Sequence, residues 1–303
     1  IYLPVSALNE LRRNAVDNLI KLRQMHKNYN VILPKINLSK FKNKTTYEIK
    51  LTASFSNANQ ISERILQSVE YASLNLFKFH EIDKIILSKY NNKFVAEIPR
   101  VFFEDEKKIE AELNKIKSLG INKVKCHSLG RIKLAIDCGF EVVAGFGLNI
   151  ANSISAQFLS RYNPLYITLS AELAINQVNN IKTYDKKAVI GYGYFPLMIT
   201  RACPVKYEIG CEKCRRNNCT YITDRKGKKF AVMCDNNVSQ IFNSVPIYIS
   251  DKLDDFNDIS FCEMLFTTED ENECYKIISM YLQNQPMNEK TEFTRGIYFR
   301  KLK

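Results

Sequence analysis

The sequence contains no G-x-S-x-G nucleophile elbow, no H-E-x-x-H zinc helix and no P-loop, so the common hydrolase and nucleotide-triphosphate chemistries lose their signatures. Gly145-Phe-Gly147 and Gly191-Tyr-Gly193 both lack the third glycine of a dinucleotide fingerprint. Histidine is scarce: His26, His80 and His127 are the whole supply. A Cys-His nucleophile pair is hard to build from them, because Cys126 and His127 are neighbours that face opposite sides of a strand, and the other two lie in unrelated segments. No apolar run approaches the roughly 20 residues needed to span a bilayer. The start, IYLPVSALNELRR, has neither the charged n-region nor the small-residue cleavage site of a signal peptide. These absences point to a cytoplasmic chain with no membrane partner, whose thiols stay reduced.

Cysteine is what stands out. Cys203, Cys211, Cys214, Cys219 and Cys234 fall within 32 residues, and the other four, Cys126, Cys138, Cys262 and Cys274, are scattered singly in apolar periodic segments as expected for buried structural thiols. Cys211-Glu-Lys-Cys214 is a C-x-x-C, a spacing that lets two thiolates from one tight turn reach the same metal ion. The cluster therefore reads as a metal or iron-sulfur site, which spacing alone cannot divide between iron and zinc.

The 303 residues, 46% hydrophobic and 25% charged, are enough to bury a large core. The net charge of +12 is uneven. Residues 1–50 carry ten Lys and Arg against three acids, residues 201–230 carry nine against three, and residues 251–275 hold nine acids and only Lys252. Such asymmetry points to a polyanionic partner, the plain alternative being a solvated lysine-rich surface.

The chain begins with a helical segment, 1–34, starting at Ser6 as its cap and carrying Leu8, Leu11, Val16, Leu19 and Leu22. A basic, aperiodic linker follows over 35–46. From Tyr47 onward strand-like runs alternate with helical patterns. EIKLTA, KIILS, FVAEIP, KVKC, FEVVAG, LYITLS and AVIGYG read as strands, and residues 59–72, 104–119, 129–138, 150–161 and 171–181 as helices. Alternation of this kind implies parallel strands with right-handed crossovers. An open doubly wound sheet and a barrel both fit, and the even spacing favours the barrel. The expected fold is α/β, a partial or variant (β/α) barrel over 47–200, followed by a cysteine-rich segment and C-terminal α/β closure over 201–303. In such a barrel the chemistry gathers where strands end, which nominates Arg100, His127, Asn149, Asn152, Ser170 and Glu172. Helix capping by Asn149 or Ser170, and a first-turn position for Glu172, are the structural alternatives.

The run PLMITRACPVKYEIGCEKCRRNNCTYITDRKGKKFAVMC, with LPVSALNELRR, EIPRVFFEDE, GLNIANS, TLSAEL and FTRGIYFR elsewhere, resembles the collagenase-like proteins of peptidase family U-32. The likeness is to long members with an inserted middle domain, and this chain looks like their C-terminal half, so an N-terminal half or separate partner chain is implied. The family carries an older label, peptidase, and a newer one, oxygen-independent hydroxylation of RNA bases or a quinone precursor by members with a 4Fe-4S cluster on four cysteines. With no activated nucleophile or zinc-bound water visible, the residues favour the second label. Its frame of CP, C-x-x-C, DRKG and a further cysteine selects Cys203, Cys211, Cys214 and Cys234 as metal ligands, with Cys219 as a spare. The spacing departs from the family's C-x6-C opening, so a second cluster, a structural zinc and a degenerate remnant stay open. The resemblance also implies prephenate as a co-substrate and hence a carboxylate-binding arginine, Arg100 or Arg225, with Asn149 and Glu172 as further substrate contacts. The DRKG segment reads more simply as a turn, Gly227 taking a positive φ and Asp224 bonding the backbone. Ribosomal or transfer RNA is the implied partner, held at its phosphates by Arg201, Arg215, Arg216, Lys228 and Lys229.

Overall fold

A computed structural model describes residues 4–25, 48–103, 106–212, 214, 219–235, 238–288 and 291–300. The chain divides into two units, 1–37 and 38–303. The first contains helix α1 (Val5–Gln24), whose residues are all exposed. It starts one residue before Ser6, with Pro4 at the N-cap and no side-chain cap bond, so Ser6 lies inside the first turn and is not the cap. The linker expected over 35–46 lies outside the described residues.

The second unit is a closed barrel of eight parallel strands. In chain order these are β1 (Lys50–Phe55), β2 (Tyr71–Asn75), β3 (Phe94–Glu97), β4 (Lys123–Cys126), β5 (Glu141–Ala144), β6 (Ile167–Thr168) and β7 (Lys187–Gly193), and the eighth is Ile259–Phe266. Each pairs with the next, β7 pairs with the eighth, and the eighth closes on β1 in a register that sets Lys50 opposite Phe261 and Phe55 opposite Phe266. The barrel expectation holds, and the barrel is complete.

Between β7 and the eighth strand the chain builds a separate antiparallel sheet. It comprises β8 (Pro196–Thr200), β9 (Thr220–Thr223), β10 (Lys229–Asp235) and β11 (Val238–Phe242), ordered β8-β11-β10-β9. Its stems are joined where the Asn243 N–H donates to the Phe195 carbonyl at 2.9 Å. A short β12 (Ile247–Tyr248) then pairs antiparallel with the end of β7, and the eighth barrel strand is β13. The cysteine-rich segment is thus an insertion inside the barrel, which does not end at residue 200. Because it leaves from the C-terminal end of β7, it sits at the barrel mouth.

Two elements differ from the sequence reading. KIILS is helix α3 (Lys84–Tyr90), whose start is fixed by Asp83 accepting from the Ile85 and Ile86 N–H groups. The expected helix over 59–72 is a 3-10 turn followed by the short α2 (Glu63–Ser68), and its end is strand β2. The other crossover helices form as read, within a few residues at their ends, as α4 (Glu106–Ser118), α5 (Leu129–Asp137), α6 (Ser153–Ser160) and α7 (Ile175–Asn180). A short α8 (Lys206–Ile209) precedes the C-x-x-C, and α9 (Glu271–Leu282) packs the last crossover through Cys274, Ile278 and Tyr281, one face at helical spacing. Asp270 and Glu273 form a capping box at its start.

Along each strand alternate side chains enter the barrel. The N-terminal half of the interior is closed by an aromatic plug in which Tyr166 stacks on Tyr71 (6.2 Å between centroids) and meets Phe261 at a tilt (4.7 Å), packed with Val95, Val143 and Ala188. The larger apolar core lies between the outer faces of the strands and the helices. The mouth half of the interior is polar.

Candidate active site at the barrel mouth

Six charged or polar side chains at the mouth end of the barrel strands form one connected network. Lys125, from β4, is fully buried and donates to Glu263 Oε1 of β13 at 2.7 Å and to Ser54 Oγ of β1 at 2.7 Å. Glu263 is also fully buried and accepts from Thr168 Oγ1 at 2.8 Å. Glu97, the last residue of β3, lies 3.9 Å from the Lys125 ammonium, accepts from Ser54 Oγ at 3.1 Å and meets His127 Nε2 at 3.0 Å. His127 Nδ1 accepts the Gly147 N–H at 3.2 Å, so the ring carries its proton on Nε2 and donates it to Glu97.

Burial alone would push the Glu97 carboxyl up, but the Lys125 ammonium and the His127 and Ser54 hydrogen bonds outweigh it and hold the pKa at about 2. Burial likewise opposes the charge of Lys125, and attraction to Glu263, with smaller help from Tyr166 and Glu97, raises its pKa above the usual range. A lysine so held is protonated and cannot serve as an imine-forming nucleophile. Glu97, with 23% of its side chain exposed, faces the cavity, while Lys125, Glu263 and His127 stand behind it.

The glycines of Gly145-Phe-Gly147 make room for this network. A Cβ on Gly145 would lie 2.5 Å from His127 Cε1, and one on Gly147 would lie 2.7 Å from His127 Cβ. The strand end must be bare for the imidazole to lie against it. Phe146, between them, meets the His127 ring edge-on at 5.1 Å and carries the Arg100 guanidinium on its face at 4.7 Å.

Above this network lies a cavity of about 510 Å³. Barrel residues Ser54, Asn75, Lys78, Glu97, Arg100 and Phe146 form one side, and the insertion forms the other, with Met233, Asp235, Gln240 and the four cysteines Cys203, Cys211, Cys214 and Cys234. The insertion is tied to the barrel where Asn75 Nδ2 donates to Asp235 at 2.6 Å. Burial raises the Cys234 thiol pKa, and Cys203 and Cys214 are near enough to raise it further. Burial also lowers the pKa of Arg100, and its Nη1 is buried without a hydrogen-bond partner among the described residues.

A thiolate-held metal or cluster fits this donor set in kind: four soft sulfur donors face a single cavity. No three His, Cys, Asp or Glu side chains among the described residues are gathered tightly enough to hold an ion. Cys219, the spare, is half-buried outside the cavity lining, its thiol raised first by burial. Cys126 and Cys262 are buried in barrel strands and Cys274 on the inner face of α9, all three with raised thiol pKa values, Cys138 is half-buried, and all nine cysteines are free.

The remaining nominated residues lie apart from the cavity lining. Asn149 sits in the left-handed region at φ 49 and accepts from the Ser170 hydroxyl, which in turn accepts the Glu172 N–H. Asn152 caps α6, accepting from the Ile154 and Ser155 N–H groups. Glu172 is exposed. Arg225 is exposed on the turn where Asp224 accepts the Lys226 and Lys228 N–H groups and Gly227 has φ 76. Arg201 is exposed and stacks on Phe103 at 5.1 Å, Lys228 pairs with Glu292, and Lys229 is exposed. Arg215 and Arg216 lie outside the described residues. Glu97, Lys125 and Glu263 were not among the nominated residues, although each carries a signal: a charge at an inward position of an apolar strand.

Among the described residues no helix is long and apolar enough to cross a membrane. No family model matches the sequence. Over 140 residues, 46% of this chain, it is 29% identical to a protein of Methanocaldococcus jannaschii named uncharacterized protease MJ0090, and the match spans 30% of that protein's length. Among solved structures it is similar to a 3-hexulose-6-phosphate synthase (TM-score 0.31, 13% identity, 47% of this chain and 80% of the other). It is also similar to a GH18 chitinase from Cycas revoluta (TM-score 0.32, 10% identity, 77% of this chain and 99% of the other).

Proposed function

We propose that the barrel mouth is the active site of an iron-sulfur enzyme of the collagenase-like U-32 kind, acting as an oxygen-independent hydroxylase of an RNA base. The observation that supports this most is convergence: Cys203, Cys211, Cys214 and Cys234, spread over 32 residues, face one cavity together with Glu97 and Arg100. An iron-sulfur cluster held by those thiolates would supply one-electron chemistry beside the substrate. The chain's own residues do the rest. Arg100 receives a carboxylate of a small co-substrate, Glu97 accepts hydrogen bonds as a fixed anion, and the insertion shields the mouth from water. A carboxylate held at a pKa of about 2 is too weak a base to abstract protons at neutral pH, so its part is orientation. Exposed Arg201 and Lys229 contact RNA phosphates, and the target base leaves its stack to enter the mouth.

The test is metal and sulfide content with the visible spectrum of anaerobically purified protein, beside Cys214→Ser. Iron with matching sulfide and broad visible absorption, lost in the variant, is the expected result. Stoichiometric zinc without iron would make the insertion a structural module. RNA nucleosides unchanged by mass spectrometry after gene deletion would remove the hydroxylase assignment. The relative's name favours peptidase as a second reading, which requires gelatin cleavage by pure protein that survives Cys214→Ser.

A further inference from the structure

The Glu97–Arg100 corner carries a more specific message about its ligand, which rests on the barrel mouth being the active site. The network behind Glu97 places two carboxylates, Glu97 and Glu263, around one lysine, with His127 in its Nε2–H tautomer. One negative charge is left over, and Glu97 is the carboxylate of the two that reaches the cavity. Arg100 lines the same cavity three residues further on, laid flat on Phe146, with a buried Nη1 that has no partner among the described residues. That Nη1 is turned away from solvent, while the half-buried guanidinium as a whole lines the cavity and still carries N–H donors for an acceptor there. Three other charged groups line the cavity. Lys78 donates to the Ser56 carbonyl at 2.6 Å and to Asn57 Oδ1 at 3.2 Å, Asp235 accepts from Asn75, and Lys206 is exposed.

An adjacent fixed anion and fixed cation together cancel. A ligand bearing only an anion, or only a cation, would leave a net charge in a poorly solvated corner. A neutral ligand with both ends matches each charge and adds none. The walls beyond the corner are mixed, and their apolar part is formed by Phe55, Ile199, Val205, Met233, Phe242 and Phe266.

We propose that this corner binds a free apolar or aromatic α-amino acid, its carboxylate on Arg100 and its ammonium on Glu97. The Phe146 face orients the guanidinium, and His127, Ser54 and Lys125 orient the carboxylate.

Isothermal titration calorimetry of the purified protein with L-phenylalanine, L-leucine, 3-phenylpropionate, 2-phenylethylamine and prephenate tests this. At least one of the two amino acids binds, and L-phenylalanine or L-leucine outcompetes each single-charge compound by tenfold or more. Arg100→Gln and Glu97→Gln each weaken that binding at least tenfold, with unchanged circular dichroism showing that the variants fold. The comparison among ligands on the wild-type protein does not depend on the variants. Failure of both amino acids to bind overturns the proposal, as does binding of 3-phenylpropionate or prephenate as tight as that of the amino acids, which would define an anion-only subsite. Iron content is read on the same preparation: iron without amino-acid binding leaves the cluster reading standing, and amino-acid binding without iron removes that reading and keeps this one.

Discussion

At the residue scale the site depends on a charge in an apolar strand being matched by its neighbours. Glu263 and Lys125 are both fully buried, and removing one partner strands the other's charge. Glu263→Gln is therefore expected to lower stability by roughly 3 to 5 kcal/mol in urea unfolding, whereas a change of the exposed Glu172 to Gln leaves the midpoint nearly unmoved. The depressed pKa of Glu97 sets a pH signature. A carboxyl lowered from 4.5 to about 2 contributes stability that is full above the ordinary value and is lost as pH falls toward the folded one. The urea-midpoint difference between wild type and Glu97→Gln should shrink as pH drops from about 5 to about 2; a difference constant over that range would show that Glu97 is not held as an anion. The Gly145 position makes a steric prediction. Gly145→Ala forces its methyl into the His127 ring and should cost about 1 to 3 kcal/mol, as overpacking does, while shifting the His127 ring resonances in NMR as the bond to Glu97 breaks.

At the element scale, the strand-helix rhythm was readable because crossover helices carry a one-sided apolar pattern and barrel strands are short apolar runs. Where reading failed, local signals had decided. KIILS has the composition of a strand, but Asp83 accepts two successive N–H groups and starts a helix there. Asp83→Ala should then cost about 1 kcal/mol of stability by chemical denaturation, the ordinary worth of a cap; no loss would mean that packing of Leu87 alone holds the helix. Strand β2 was hidden because YASLN follows a helical stretch without a glycine or proline between them. The cysteines were legible from spacing, since a cluster of thiols is rare enough to stand out. Glu97, Lys125 and Glu263 were not, because each comes from a different strand and their closeness follows from barrel closure, which joins residues up to 166 positions apart. The clue available in sequence was the period of two: each sits where an inward apolar residue was due.

At the scale of the whole molecule, the barrel and its insertion form separate sheets that line one cavity. All eight barrel strands pair with one another without help from the antiparallel sheet, and the insertion's stems are already in contact through Asn243 and Phe195. The barrel supplies the charged network, and the insertion supplies every thiol facing the cavity. Replacing residues 196–242 by a short Gly-Ser linker should therefore leave a protein that unfolds cooperatively, with amide protons of β7 and β13 still protected in hydrogen exchange, because the β7–β13 pairing is internal to the barrel. Some stability is lost, since Leu265 and Phe266 lose their cover at the mouth. The same variant should bind no iron or zinc. If instead β7 and β13 lose protection together, the insertion is part of the barrel's folding unit, and its contact through Asn75 and Asp235 does more than hold a lid in place.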